Sequence, residues 1–523
     1  MTETTTYLAI DVGTGSVRAA LVDAAGKIRR LAAREHEQIV PRYGWSEQRP
    51  LAWWAGAVDA IREVLAAEPG SAAHIAAICA CGQMHGTVLI DENGELTRDA
   101  SPLWNDKRSA PQVEAFRDRY RTGGGTHDIR HDYLARTANP PTAAWPAFKL
   151  QWFRDHEPAA YERAATVFMP KDYVNFRLTG ERACDWSDAS MMFLMDPRSR
   201  TWSAAMFDEL GLDIRKMPPI RAPQELLGHV TKAAAEATGL REGTPVLVGA
   251  ADYPASVLGS GVFEPGLASD ITGTSSIITV IAETPMLHPE VSNVATCEGL
   301  WGRFTLLDSG GDAMRWARRA FHENTLSYDA VARKAAEAPV GCKGLFFLPY
   351  LTGERFGDHP NSRAQFFGIA AGHGLAHLHR AVLEGVAFGV RRHMKMIQPE
   401  GVPIERLVAA SGGAKAALWL DIKASMYRTP ILVPAEVESG VMGCALLAAT
   451  ASGQFATLRD AVRAFVRFER EVQPDPRASD VYDRMMPIFE RLYVNAQQFY
   501  DDLDSLQDTS AARAVPEPQG VNE

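Results

Sequence analysis

Tyr7-Leu-Ala-Ile-Asp-Val-Gly-Thr-Gly-Ser-Val-Arg-Ala-Ala-Leu-Val-Asp23 reads as a strand, a tight Gly/Thr/Ser turn and a second strand. About halfway down the chain the plan returns. Leu267-Ala-Ser-Asp-Ile-Thr-Gly-Thr-Ser-Ser-Ile-Ile-Thr-Val-Ile-Ala282 is again strand, Gly/Thr/Ser turn, strand. One such hairpin is weak evidence, since glycine turns are common. Two copies, one opening each half, point to two related α/β domains facing each other. The boundary falls near Glu264-Pro265-Gly266, which separates an N-terminal domain of residues 1–263 from a C-terminal domain of 264–505. The polar tail 506–523 carries Pro516 and Pro518 and is expected to be disordered.

Both turns suit an anion. Glycine lets the backbone approach closely and turn its amides toward oxygen. Thr14, Gly15 and Ser16 supply donors in the first turn, and Gly273, Thr274 and Ser275 in the second. Asp11, at the end of the first strand, is placed to hold a magnesium ion. The first turn joins strand to strand rather than strand to helix, which counts against a dinucleotide-binding fold. The chain also lacks the G-x-x-x-x-G-K-[ST] loop of P-loop proteins.

Working outward, residues 51–67 show helical spacing, with Trp53, Trp54, Val58, Ile61 and Leu65 near one face. Residues 74–81 read as a buried strand leading into Gly82-Gln-Met-His-Gly86. A strand at 245–249 runs into Gly249-Ala-Ala-Asp252. In the second half, helices are expected at about 312–322, 374–398, 416–427 and 438–453, strands at 344–349 and 406–410, and one closing amphipathic helix over 479–505.

With 523 residues, two large domains are the natural division. A net charge of −10 argues against a general nucleic-acid binder. No apolar run is long enough to span a bilayer, and the first residues lack the pattern of a signal peptide. Six cysteines without framework spacing indicate reduced thiols and a cytoplasmic protein. Cys79 and Cys81 would share one face of a strand as small core residues. His373, His377 and His379 lie close together, but packing is the simpler role for their helix.

Several further segments carry a resemblance. Ala144-Trp-Pro146-Ala-Phe-Lys149-Leu-Gln-Trp152-Phe-Arg-Asp155 and the run from Ala364-Gln-Phe-Phe-Gly-Ile through His377-Leu-His-Arg-Ala-Val-Leu-Glu384 resemble the two signatures of the FGGY family of carbohydrate kinases. Pro349-Tyr-Leu-Thr-Gly-Glu354-Arg355 and Ser411-Gly-Gly-Ala-Lys-Ala-Ala-Leu-Trp419 are similar to further stretches of that family. The likeness covers nearly the whole chain and is strongest toward xylulokinases. It implies two actin-like (ribonuclease H-like) domains with a catalytic cleft between them, ATP and Mg2+, and a small sugar substrate. It is compatible with a homodimer.

Residue by residue, the resemblance implies that Gln83, Met84, His85 and Trp104 line the sugar site. Asp252 would be the general base and would share the metal with Asp11. Gly310 and Gly311, with Gly412, Gly413 and Ala414, would form the nucleotide loops. D-xylulose is the first candidate substrate, with other pentuloses and polyols such as xylitol or erythritol as alternatives. A non-catalytic, sugar-sensing relative is disfavoured by the joint presence of Asp11, Thr14 and Asp252. One position departs from the family pattern: Tyr253 follows Asp252 where xylulokinases usually carry Asn.

Overall fold

The computed structural model describes residues 5–121, 132–355 and 360–511. In the first half, Thr6–Val12 (β1), Ser16–Asp23 (β2) and Ile28–Glu35 (β3) form an antiparallel meander. Ile75–Gly82 (β4) lies parallel to β1, with Asp11 opposite Cys81. Leu226–His229 (β5), Pro245–Leu247 (β6) and Ala250–Ala251 (β7) complete the sheet. The strand order is β5-β6-β4-β1-β2-β3, with β7 also on β4.

In the second half, Leu267–Thr272 (β8), Ser276–Ala282 (β9), Ser292–Ala295 (β10) and Trp301–Leu307 (β11) are antiparallel neighbours. Arg406–Ala410 (β12) runs parallel to β8, followed by Ile431–Pro434 (β13) and Phe468–Val472 (β14). The order is β10-β11-β9-β8-β12-β13-β14. The core β6-β4-β1-β2-β3 of the first sheet thus recurs as β13-β12-β8-β9-β11 in the second. The echo in the sequence is a repeated sheet, and the fold is two actin-like α/β units.

The period of two along β1 sets what each face meets. Leu8, Ile10 and Val12 pack with Trp53, Ala57 and Ile61 of Pro50–Ala67 (α1). Tyr7 and Ala9 pack on the other face with Val441, Cys444 and Ala445. Asp11 shares that second face. Pro146–His156 (α2), Pro170–Thr179 (α3) and the short Trp186–Ser190 (α4) belong to the inserted region between β4 and β5. Their aromatic core also takes in Val294, Ala295, Trp301 and Phe304 from the second half. Asp252–Gly259 (α5) follows β7 directly.

Gly311–His322 (α6), Tyr328–Ala336 (α7), Leu375–Ile397 (α8), Ala417–Tyr427 (α9), Ser439–Ala451 (α10) and Pro476–Gln497 (α11) cover the second sheet or cross from it. Helix α10 crosses over to pack on β1, β4 and α5 of the first half. The crossing is close enough to exclude side chains. A Cβ on Gly443 would lie 2.0 Å from the Ala255 carbonyl oxygen, and one on Gly259 would lie 1.9 Å from that of Ser439.

The closing helix expected over 479–505 is two helices, Pro476–Gln497 and Tyr500–Ala511 (α12), separated at Gln498 and Phe499. The first positions of the expected tail, 506–511, are therefore helical, and 512–523 lie outside the described residues. All six cysteines are buried and unpaired. Among the described residues, no helix is long and apolar enough to cross a membrane.

Candidate active site

Three turns at the carboxyl ends of parallel strands meet between the two sheets. The turn after β1 closes through the Gly13 amide and the Ser16 carbonyl, 3.0 Å apart. The turn after β8 closes in the same way from Gly273 to Ser275, at 2.9 Å. The start of α6 docks on this second turn, with the Gly311 and Asp312 amides donating to the Gly273 and Thr274 carbonyls at 2.9 and 3.0 Å. A side chain at Gly310 could not fit, since its Cβ would lie 2.5 Å from the Ser276 amide nitrogen. The third turn, Ser411–Ala414, follows β12. Ser411 holds φ 66°, a region that costs a non-glycine residue free energy and persists where surroundings enforce it.

Two cavities border these turns. The first, about 1100 Å3, is lined by Asp11, Gly13, Asp252, Tyr253, Gly412 and Ala414, among others. The second, about 780 Å3, is lined by Gly273, Thr274, Gly311, Tyr328, Gly413 and Trp419, among others. Gly412 and Lys415 border both. Around Gly15 and Gly273 an added Cβ would meet nothing within 4 Å, so both turns leave open space at their tips. The second cavity, with apolar walls and a glycine-lined edge, has the character of a nucleoside pocket.

Of the four acidic residues that line the first cavity, Asp11 and Asp252 stand at the strand ends, with Glu436 and Glu469 on the second half. Asp11 is buried, with Oδ2 paired to Arg18 at 3.1 Å and Oδ1 without a partner. Burial raises its pKa, and Arg18 acts against that rise. Asp252 is half-buried at the first turn of α5, and its Oδ1 accepts the Tyr253 amide at 2.7 Å. Burial, reinforced by the neighbouring Asp11 charge, pushes Asp252 up to about 7. A carboxylate titrating there can accept a proton near neutrality. The unpartnered Asp11 oxygen and two mutually repelling carboxylates fit a hard divalent cation with oxygen ligands.

The other expected residues are brought together beside this centre. The Thr14 hydroxyl accepts from Trp104 Nε1 at 3.1 Å and donates to Gln83 Oε1 at 3.2 Å, and Gln83 Nε2 donates to Gln48 at 2.8 Å. Trp104 remains 41% exposed and lines a further cavity with Asn105, Asp308 and Arg355. Met84 packs against the aromatic core. His85 sits at φ 68° with its ring edge-on to Trp145. Its Nδ1 lies 3.1 Å from the Met191 carbonyl, which can only accept, so Nδ1 carries the hydrogen. Burial drives the His85 pKa down to about 3. The ring is thus neutral, with the Nε2 lone pair available to a hydroxyl. Gln83, Met84 and His85 are not among the described residues lining the first two cavities.

Two buried lysines went unread in the sequence as site residues. Lys149 Nζ donates to the His85 carbonyl at 2.7 Å and to the Leu103 carbonyl at 2.6 Å. It therefore ties the turn of His85 to that of Trp104. Burial pushes its pKa down to about 7. Lys171 pairs with Asp172, Asp185 and Asp188, all buried. Asp185 accepts the Ser187 hydroxyl, which in turn accepts the Ala251 amide at 3.0 Å, one residue before Asp252. Lys415, at the border of both cavities, was also missed, although it follows Gly412-Gly413-Ala414 directly.

Family models of the FGGY family of carbohydrate kinases match residues 6–259 (N-terminal domain) and 268–452 (C-terminal domain). Xylulose kinase of Bacillus subtilis is 28% identical over 96% of this chain and 99% of its own length. Autoinducer-2 kinase of Klebsiella pneumoniae is 30% identical over 93% of each chain. The crystal structure of xylulose kinase from Rhodospirillum rubrum superposes with a TM-score of 0.88 at 30% identity, covering 95% of this chain and all of that one.

Proposed function

Because the chain belongs to the FGGY family of carbohydrate kinases, we propose that it transfers the γ-phosphoryl group of ATP to a hydroxyl of a small ketose, with D-xylulose to D-xylulose 5-phosphate as the first reading. The observation that carries this reading is the convergence of Asp252, Asp11 and Gly13 with the Gly412 turn on one cavity. The nucleoside would occupy the second cavity, with its phosphates directed toward the turns at Gly13–Ser16 and Gly273–Ser275. Asp11 and Asp252 would hold magnesium, which when bound supplies charge neutralisation at the phosphates.

The chain's own residues do the rest. Asp252 takes the proton of the sugar hydroxyl as that oxygen bonds to the γ-phosphorus and the bond to ADP breaks. Phosphoryl transfer has a loose transition state, so a weak base in a fixed position suffices. His85 accepts a sugar hydroxyl at Nε2, and Trp104 supplies a wall. Closing the halves over the substrates excludes water and limits hydrolysis of ATP.

Tyr253 beside the base, together with the likeness to autoinducer-2 kinase, favours a test beyond one pentulose. ADP release is to be followed with D-xylulose, D-ribulose, xylitol, erythritol and autoinducer-2, against a control without acceptor. D-xylulose is expected to give the highest kcat/KM. Faster turnover on another acceptor would reassign the substrate, and nucleotide binding without acceptor-stimulated turnover on any would remove the kinase reading of this chain.

Lys149 provides a second test. Lys149→Met keeps much of the stem's bulk and removes both hydrogen bonds. The turns of His85 and Trp104 then lose their shared anchor. The sugar KM is expected to rise roughly tenfold or more, since misplacement of about 1 Å is costly, while the ATP KM holds. Equal changes in both KM values would contradict the clamp.

A further inference from the structure

Tyr253 belongs to two places at once. Its amide donates to the Asp252 carboxylate at 2.7 Å. Its hydroxyl crosses to the second half and hydrogen-bonds the Thr279 hydroxyl of β9. Its ring packs against Phe304 of β11, with centroids 5.7 Å apart. Strand β9 begins at Ser276, immediately after the Gly273–Ser275 turn, and Ser276 hydrogen-bonds Thr272 on the other side of that turn at 2.9 Å. One side chain and three strand residues therefore separate the carboxylate from the donor-side turn.

We infer that the bond from Tyr253 to Thr279 is an interdomain latch that sets the Asp252 carboxylate at a fixed offset from the Gly273–Ser275 turn. The inference rests on the reading of Asp252 as base and of that turn as a phosphate site. In-line transfer needs acceptor oxygen, phosphorus and leaving oxygen aligned, with reacting atoms about 3–3.5 Å apart. The acceptor is governed by a residue of the first half and the donor by a turn of the second. A direct bond between the neighbours of both makes that spacing a property of the closed molecule rather than of loop motion. Tyr253 is here a positioning residue. Other contacts also join the halves: α10 packs on α5, the helix that Asp252 begins, and Arg18 pairs with both Asp11 and Glu438, but neither links the base to the Gly273–Ser275 turn. Asn139 pairs with Asn293, and Ser190 with Ala295, both far from the base in sequence.

The test is a double-mutant cycle on the full-length enzyme with ATP, magnesium and its best acceptor. Tyr253→Phe removes only the hydroxyl, and Thr279→Val replaces its partner with a residue of the same shape. Each single variant is expected to lower kcat roughly ten- to a hundredfold, with both KM values and the melting temperature little changed. The double variant is expected to be no slower than the slower single, because both remove one bond. Wild-type kcat in Tyr253→Phe, or losses that multiply in the double variant, would overturn the latch. So would a rise in sugar KM alone, which would make the phenol a sugar contact, or failure of a single variant to fold, which would make the bond purely structural. An inactive Asp252→Asn beside a fully active Tyr253→Phe would refute the latch and spare the base. An active Asp252→Asn would refute the base and the latch with it.

Discussion

Asp252→Asn and Asp252→Ala are expected to lower kcat by roughly a hundred- to ten-thousandfold, the range a positioned general base contributes. The nucleoside cavity is lined by residues of the second half, so ATP affinity should change little. In the wild-type free enzyme, the base must be ionised to accept a proton. With Asp252 raised to about 7, kcat/KM is expected to fall as pH drops through about 7. The stability effect has the opposite sign to the activity effect. A carboxyl whose folded pKa lies above its unfolded value binds more protons in the native state, so it costs stability as pH rises from about 4 through 7. Asp252→Asn removes that cost and should melt at the same or a higher temperature than wild type at pH 8, although it is inactive. A variant that loses activity and stability together would instead assign Asp252 to the scaffold. One that keeps wild-type turnover would exclude it from the reaction.

The largest stability effect is expected at Lys171. Its ammonium is the shared partner of Asp172, Asp185 and Asp188 in a fully buried cluster. Burial raises the pKa of Asp172 and Asp188, and Lys171 opposes that rise. Lys171→Met leaves three carboxyl groups with no cation, and breaking a buried pair in this way costs about 3–5 kcal/mol. The loss should be read as a fall in melting temperature. It should also depend on pH in a specific direction. Without the lysine, Asp172 and Asp188, whose pKa burial already raises, must stay protonated to remain buried, so the variant should regain stability between pH 8 and 5. Because Asp185 holds Ser187 on the Ala251 amide, any folded fraction should also show reduced kcat. A melting temperature equal to that of wild type at pH 8 would contradict this role.

The fold was legible where short-range rules decide it. Short strand-forming runs at 7–12 and 267–272, each followed by a Gly/Thr/Ser turn and a second such run, mark two hairpins, and their repetition marks the two halves. The inserted region between β4 and β5, though rich in tryptophan and proline, carries helical spacing over 146–155, 158–164 and 171–178, where the helices Pro146–His156, Pro158–Arg163 and Pro170–Thr179 lie. The break at Gln498 and Phe499 was missed because α11 and α12 continue one apolar spacing across it.

The site was legible as turns and carboxylates and illegible as supports. Asp11 and Asp252 stand at strand ends, where residues emerge into clefts. Lys149 and Lys171 do not announce themselves, because lysine is by default a surface residue. Only the tertiary pairing with the His85 and Leu103 carbonyls, or with three aspartates, makes their burial intelligible. Tyr253 stood out as a departure from the family pattern, but its partner Thr279 lies 26 residues away and in the other half.

The most direct measurement is a structure of the full-length chain with ADP, magnesium and D-xylulose, read for the distance from the Asp252 carboxylate to the nearest sugar hydroxyl. The account predicts about 2.6–3.2 Å, with the β-phosphate against the Gly273–Ser275 turn and that hydroxyl facing it. A sugar bound with its phosphate-facing hydroxyl away from Asp252, or a nucleotide seated outside the cavities at Gly412, would contradict it.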